Sequence, residues 1–254
     1  MSEGKIWQKR AQCDLIAGHK TMLASHPGPV DPLNPGFMKT ANAALQNALS
    51  LAQNIKTPAG YQSVMDAYTA AFKDGHFQLI TTKKLWDLPT GTGGFKWAGI
   101  LIGWRADTFT AVYTHETSGV KQGDELVSCD GIKAADMMHE NVFPYSHYSD
   151  NNPNSWAMLS RHLLADNGNP LIKTPQNCLF SGAKGEYKVV LNWQARPKNY
   201  WDIAPKALFG ATPKTGMKEI KPGIWWVNAA NFSPQNDAQL KANKDMIADI
   251  KAKQ

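Results

Sequence analysis

The chain has 254 residues, a formal net charge of +6, 43% hydrophobic residues and 10% aromatic residues. This composition excludes an intrinsically disordered chain and leaves room for two or three folded domains. No stretch approaches the roughly 20 apolar residues of a membrane span, and the first residues lack the apolar core of a signal peptide. The basic residues are scattered, so no nucleic-acid-binding module is predicted.

The first 72 residues have the pattern of helices, interrupted by a loop rich in proline and glycine at 26–36. A helix is predicted over about 37–55, where alanine and leucine recur at intervals of three to four residues. The next helix is predicted to begin at Thr57-Pro58, because threonine can cap a helix and proline suits its first turn. Gly75 is the expected C-cap of this helix.

After residue 76 the pattern changes to that of short strands. Strands are expected at 77–80, 97–104, 109–114, 124–129, 187–193 and 223–228, short helices at 134–142 and 151–166, a flexible loop at 89–94, an irregular stretch at 196–222, and a last helix from 233 to about 251. The last helix is expected to turn Leu240, Ile247 and Ile250 inward. The strand at 223–228 is so apolar that it requires cover on both faces. One helix supplies only part of that cover, so we expect the natural domain to continue past residue 254.

The cysteines allow two interpretations. Cys129 and Cys178 lie in neighbouring regions where strands are predicted and could form a disulfide in an oxidising compartment, or all three cysteines, including Cys13, could be separate thiols. No Cys-x-x-Cys pair occurs, so a structural zinc site is not predicted. His139 and His147 have no convincing metal-ligand spacing, and no metal site is predicted there.

One histidine is a candidate for catalysis. His76 follows Asp74-Gly75 at a helix-to-strand junction, and an imidazole with its pKa near neutrality can act as a general base. A lone histidine is more often structural, and the residues alone leave both roles open. No Gly-x-Ser-x-Gly motif occurs, so the sequence offers no recognisable nucleophile for this base.

The segment 119–131 has a more specific pattern. A glycine turn leads into Gly-Asp-Glu-Leu, a strand and an Asp-Gly turn, which resembles the core of a PDZ domain. Such domains bind a peptide C-terminus as an added strand. The residues that fall at the carboxylate loop and binding strand are Gly99, Ile100, Leu101 and Ile102. The alternative is an ordinary β-hairpin.

Three features occur in an informative order. A helical region ends in Phe-x-Asp-Gly-His at 72–76, the PDZ-like segment follows, and Lys-Pro-Gly-Ile-Trp-Trp-Val at 221–227 leads into a long helix. Because these features occur in this order, the chain resembles the tail-specific, or C-terminal-processing, serine peptidases, which also include the tricorn protease core. The resemblance covers most of the chain.

The resemblance implies an α+β multidomain protein with a crotonase/ClpP-like catalytic domain of ββα units. It divides the chain into an N-terminal helical domain at 1–73, a first catalytic segment at 74–92, a PDZ-like module with a helical insertion at 93–195, and the truncated start of the catalytic domain at 196–254. Tail-specific members use a lysine base, and tricorn-like members use a histidine in the segment that matches 74–76. His76 is therefore the candidate base by resemblance, or a structural residue if the lysine solution applies.

The resemblance also implies peptide-bond hydrolysis of protein or peptide substrates without a cofactor or metal. The nucleophilic serine lies beyond this chain in the family pattern, so the chain alone is expected to be inactive. The family is mostly exported, which favours a periplasmic or otherwise extracytoplasmic location. Whether the protein forms a homo-oligomer is left open by the resemblance. The main alternative is a non-catalytic PDZ-like adaptor. A ligand carrier that uses the tryptophans is weaker, because core packing explains them more simply.

Overall fold

The computed structural model describes residues 2–77, 79, 96–210, 215–229 and 233–252. The architecture is α+β, with helices at the N-terminus and antiparallel sheets after them. The chain forms two compact units, 1–200 and 201–254. In the part of the chain that the structure describes, no helix is long and apolar enough to cross a bilayer.

The first unit opens with three helices that pack against one another. They are α1 (Glu3–Ser25), α2 (Phe37–Ala52) and α3 (Pro58–Ala70). Helix α1 buries one face, which begins with Trp7, Ala11 and Leu15 at intervals of one turn. Helix α3 is buried on nearly all sides. The predicted cap is confirmed, because Thr57 Oγ1 accepts a hydrogen bond from the Gly60 N–H.

The end of α3 differs from the prediction. The helix stops at Ala70, so the expected C-cap at Gly75 is wrong. Lys73 adopts a left-handed conformation (φ 51°) instead. Its ammonium donates to the carbonyls of Phe143 at 2.8 Å and Ser146 at 3.1 Å. These two hydrogen bonds connect the turn after α3 to a distant segment.

The rest of the first unit is built on antiparallel strands. They are β1 (Lys96–Trp97), β2 (Ile100–Arg105), β3 (Thr108–Thr114), β4 (Glu125–Cys129), β5 (Ile132–Lys133), β6 (Ala165–Asp166), β7 (Asn177–Gly182), β8 (Gly185–Val190) and β9 (Gln194–Ala195). One sheet has the order β2-β3-β4-β7-β8, with β5 paired to β4, and β1 lies between β6 and β9 in a second sheet. The predicted pairing of 97–104 with 109–114 is confirmed, except that Ala98-Gly99 divides the first strand.

Short helices complete the module. They are α4 (Ala134–Met137), which continues as a single π-turn at Met138–Val142, and α5 (Pro153–Leu159), which continues as a 3₁₀ turn at Ser160–His162. The predicted helix at 151–166 is therefore too long. Asn152 caps the start of α5 through its side-chain oxygen, and the helix ends early because 165–166 pair with β1 as β6.

A disulfide joins two adjacent inner strands of the larger sheet. Cys129 of β4 and Cys178 of β7 face each other directly in register, and their sulfur atoms are bonded. Both cysteines are fully buried in the core of the module. Of the two interpretations that the sequence left open, pairing is the one that the structure contains. Cys13 is an exposed free thiol on α1.

The second unit contains a ββα arrangement. Helix α6 (Tyr200–Phe209) leads into it, followed by β10 (Gly216–Lys221), β11 (Ile224–Asn228) and α7 (Asp237–Ala252). Strands β10 and β11 form a hairpin, and α7 packs beside β10. The strand at 223–228 is confirmed as β11, but the prediction of an irregular stretch at 196–222 is wrong because α6 and β10 lie in it.

The packing of the second unit also corrects the sequence analysis. Met246 is the buried side chain of α7, whereas Leu240 and Ile247 are 40% and 48% exposed, so their predicted inward orientation is wrong. Ile224 and Trp226 on β11 are 53% and 65% exposed. The predicted strand at 77–80 and the loop at 89–94 fall largely or wholly outside the described residues.

Candidate functional site

The predicted peptide-binding strand lies at an edge of the larger sheet. Strand β2 pairs with β3 on one side, and no described strand pairs with its other side. Helix α5 and the turn at 160–162 run beside β2, with Cα atoms within 8 Å of it. An extended peptide can add to such a strand by main-chain hydrogen bonds, while a neighbouring helix forms the second wall of a groove.

The register shows which main-chain groups of β2 point to the free edge. Ile102 lies opposite Ala111. Ala111 directs its own N–H to the Asp124 carbonyl and accepts from the Gly123 N–H, both on the far side of β3. Ile102 and Ala111 are therefore a non-hydrogen-bonded pair, and the N–H and C=O of Ile102 point away from β3. By the same alternation, those of Trp104 also point to the edge.

The side chains of this strand have a different role. Ile100, Leu101 and Ile102 are no more than 1% exposed, and Ile100 and Ile102 belong to the core of the module. Their apolar side chains hold the strand in the sheet and are not available to a ligand. These fractions include the main chain, so the N–H and C=O of Ile102 are covered as well, and a peptide reaches them only if the residues that cover this edge move.

Gly99 forms the turn through which the chain passes from the smaller sheet into β2. Its backbone is left-handed (φ +73°), and its carbonyl accepts from the His115 N–H at 2.6 Å. A Cβ at this position would lie 3.0 Å from Gln194 Nε2 and 3.2 Å from His115 Cβ. Both the conformation and the space therefore require glycine. Gln194 Nε2 is buried and has no hydrogen-bond partner among the described residues, which leaves a donor beside this turn.

The candidate base His76 lies in the turn after α3. Its side chain is fully exposed, its backbone N–H donates to Asp74 Oδ1 at 2.8 Å, and its Nδ1 is 3.5 Å from the same oxygen. The hydrogen bond from the His76 backbone lowers the pKa of the Asp74 carboxyl. In the described part of the chain, no hydrogen bond or ion pair joins His76 to residues 99–102. The structure therefore shows an accessible imidazole beside a carboxylate.

The first unit also contains a cavity that was not predicted from the sequence. It has a volume of about 510 Å³ and is lined by α3, by the segment 141–148 and by the segment 159–175. His162 lies in its wall, where burial, and then the charges of Arg161 and Arg196, lower the pKa of the imidazole to about 4. No local motif signals this cavity, because its walls come from separate parts of the chain. Among the described residues, no group of histidine, cysteine and acidic side chains has the arrangement of a metal site.

Similarity to known proteins is found at the level of the fold. No family model and no curated protein matches the chain. Solved structures do match, and they have the fold of a serine protease. The particular structures are those of CPAF, a chlamydial serine protease, in its mature form and as mature CPAF complexed with lactacystin.

The match is partial. The complex with lactacystin gives a TM-score of 0.55 and mature CPAF gives 0.54, each at 16% sequence identity. Each match covers 76% of this chain and 36% of the CPAF chain. At this identity the likeness concerns the fold, and this chain spans about a third of the protein to which it is similar.

Proposed function

We propose that this chain is the N-terminal part of a serine endopeptidase of the tail-specific or tricorn-like type, and that its module at 93–195 binds substrate C-termini. The observation that carries the proposal is the free edge of β2, which follows a left-handed glycine and has a helix beside it. The fold similarity to a serine protease supports the peptidase assignment. A ββα arrangement at 216–252 agrees with the start of a ClpP-like domain.

The proposed binding step uses main-chain groups. The substrate extends the sheet by pairing with the outward N–H and C=O of Ile102 and Trp104, which requires the residues that cover Ile102 to move aside. Its terminal carboxylate lies at the turn of Gly99, where Gln194 Nε2 offers a donor. Hydrogen bonds to an ionised carboxylate are stronger than those to a neutral group, so the free C-terminus contributes to affinity and orients the peptide.

The proposed chemistry is acyl-enzyme hydrolysis. A serine from outside these 254 residues attacks the peptide carbonyl while His76 accepts the hydroxyl proton, and the imidazolium then donates that proton to the leaving amine. Asp74, 3.5 Å away, stabilises the imidazolium. Because the proposal places the nucleophilic serine outside these 254 residues, the chain by itself is expected to hydrolyse no peptide bond. Hydrolysis by the purified chain that is lost when one of its own serines is changed would contradict this.

The binding step is tested by fluorescence anisotropy with a labelled apolar decapeptide, compared with the same peptide carrying a C-terminal amide. We expect the amide to bind about tenfold more weakly or worse, which corresponds to about 1.4 kcal/mol. Gly99→Ala should abolish the difference. Gly119→Ala is the matched control, because its φ is +71° but its nearest neighbour, Val189, is 3.9 Å from the added Cβ. Equal binding of acid and amide would refute the carboxylate site.

The alternative function is a non-catalytic peptide-binding adaptor. It is favoured by one observation, which is that the β2 edge and its neighbours all lie within the compact unit 1–200. Sequencing the gene downstream of codon 254 separates the two. A glycine-rich turn and a later serine in the same frame would support the peptidase, and a stop codon would support the adaptor.

Location outside the cytoplasm is also part of the proposal. The buried Cys129–Cys178 disulfide supports it, since such bonds persist mainly in oxidising compartments. Fractionation of the source cells, with the protein detected by antibody, tests this. Recovery in the cytoplasm with both cysteines reduced would contradict it.

A further inference from the structure

The cavity between α3 and the module is a site that the proposed peptidase chemistry does not use. None of the residues 99–102 lines it, and its volume of about 510 Å³ falls in the range of small-molecule sites. Its walls combine apolar and aromatic side chains, including Val142, Leu159, Ile172 and Trp193, with many polar residues, and apolar atoms make up most of the exposed wall. A ligand that fits these walls has an apolar body and few charged groups.

The most informative polar group in the cavity is Asp66 on α3. Its carboxylate accepts one hydrogen bond, from Gln62 Nε2 at 2.8 Å. No lysine or arginine of the described residues forms an ion pair with it. Burial raises the pKa of this carboxyl, which shows that its charge is poorly solvated. A carboxylate in such a place is costly to ionise, and a cation brought to it by a ligand would offset the cost.

A second polar atom lies near the same end of the cavity. His147 Nδ1 is buried and has no hydrogen-bond partner among the described residues. The positive charge of the protonated imidazole favours the ionised form of Asp66. An imidazolium repels a ligand cation, so the neutral form of His147 is the one that is compatible with an ammonium at Asp66. The ammonium can donate to both oxygens of the Asp66 carboxylate, because it carries three N–H donors.

The basic side chains of the cavity lie elsewhere in its wall. Arg161 Nε donates to His162 Nε2 at 3.3 Å, and the charges that act on His162 are those of Arg161 and Arg196. The charge that acts on Asp66 is that of His147. The two arginines therefore act on His162, and neither of them is among the charges that act on Asp66.

We propose that this cavity binds a small primary amine with an apolar or aromatic body, with the ammonium at Asp66 and the body against Trp193 and the apolar wall. The proposal is independent of the β2 edge and of any peptide hydrolysis. Because α3 and the module both supply walls, such a ligand would also connect the helical region to the module and raise the stability of the first unit.

The test uses three probes of one shape on the intact chain, which are benzylamine, benzyl alcohol and benzoate. Binding is followed by two-dimensional NMR and by the shift of the melting temperature. We expect benzylamine to bind saturably and to perturb the amides of α3 and of 145–148, with benzyl alcohol and benzoate at least about tenfold weaker. Equal binding of amine and alcohol, preference for benzoate, or no saturable binding of benzylamine would each overturn the proposal.

The matched variant is Asp66→Asn. It keeps the side-chain shape and an oxygen that can accept from Gln62, but it removes the charge. We expect benzylamine affinity to fall about tenfold or more and the affinity of benzyl alcohol to stay unchanged. Asp136→Asn, which alters an exposed carboxyl on α4, should change neither. If Asp66→Asn binds benzylamine as the wild type does, the proposal is wrong. The comparison of probes on the wild-type chain decides the matter if this variant fails to fold.

Discussion

The disulfide between β4 and β7 gives the most quantitative prediction. Cys129 and Cys178 are 49 residues apart in sequence and directly opposite in the sheet. Closing a loop of about 50 residues removes roughly 14 cal/mol/K of entropy from the unfolded chain, which corresponds to about 4 kcal/mol at 25 °C. The double variant Cys129→Ala/Cys178→Ala should therefore lose about that much stability, and more if the lost sulfur contacts leave small cavities.

The assay is thermal unfolding followed by circular dichroism. For a unit of about 200 residues, each kcal/mol moves the melting temperature by roughly 2–4 °C, so the double variant should melt roughly 10 °C lower. Cys13→Ala is the control and should leave the melting temperature unchanged, since Cys13 is exposed and unpaired. A double variant that melts within about 3 °C of the wild type would refute the reasoning, because the bond would then not constrain the unfolded chain as the register implies.

Three further predictions concern stability. His162 has a pKa of about 4 in the folded chain, below the usual 6.5, so the folded state disfavours the protonated imidazole. The free energy of unfolding is therefore unaffected by His162 above pH 6.5 and falls as the pH decreases towards 4. His162→Gln should remove up to about 3 kcal/mol of this acid destabilisation, measured by urea unfolding at pH 7 and pH 4. An acid profile that is the same in the variant would contradict the assignment. Thr57→Ala should cost about 1 kcal/mol in the same assay, because it removes the N-cap of α3, and no loss would show that the cap contributes nothing. Gly28→Ala should cost about 1–3 kcal/mol, because the added Cβ would lie 2.4 Å from the ring of Phe37. Gly36→Ala, which meets no atom within 4 Å, is its control, and equal effects of the two would exclude overpacking as the cause.

The local signals in the sequence were sufficient for several elements. Thr57-Pro58 correctly marked the start of α3, because a cap depends on residues within one turn. The Asp130-Gly131 turn between β4 and β5 was also predicted, since both residues adopt the positive φ that this dipeptide favours. The strand pair of β2 and β3 was predicted from the apolar runs at 97–104 and 109–114. In each case the information lies within a few consecutive residues.

Other elements depend on contacts that a local pattern does not contain. Helix α6 was missed because Pro205 lies inside it and proline normally ends a helix. Strand β10 was missed because it is mostly exposed and its two large apolar residues, Met217 and Ile220, are three residues apart and do not have the alternating pattern of a strand. The early end of α5 follows from the pairing of β6 with β1, which lies far away in sequence.

The candidate sites show the same division. The residues 99–102 could be selected from the sequence, but which of their main-chain groups face the free edge depends on a register shift between Leu101 and Ile102. That shift is a property of the paired strands. The cavity at Asp66 could not be found at all, because its polar groups come from three segments that only the tertiary fold brings together.

The central claim is that a substrate C-terminus adds to the free edge of β2. The most direct measurement is amide hydrogen exchange, read by NMR, with and without a saturating decapeptide that has a free carboxylate. The account predicts that the amides of Ile102 and Trp104 exchange more slowly in the complex, while those of β8, at the opposite edge of the same sheet, do not change. Protection at β8, or binding that leaves the amides of β2 unchanged, would contradict it.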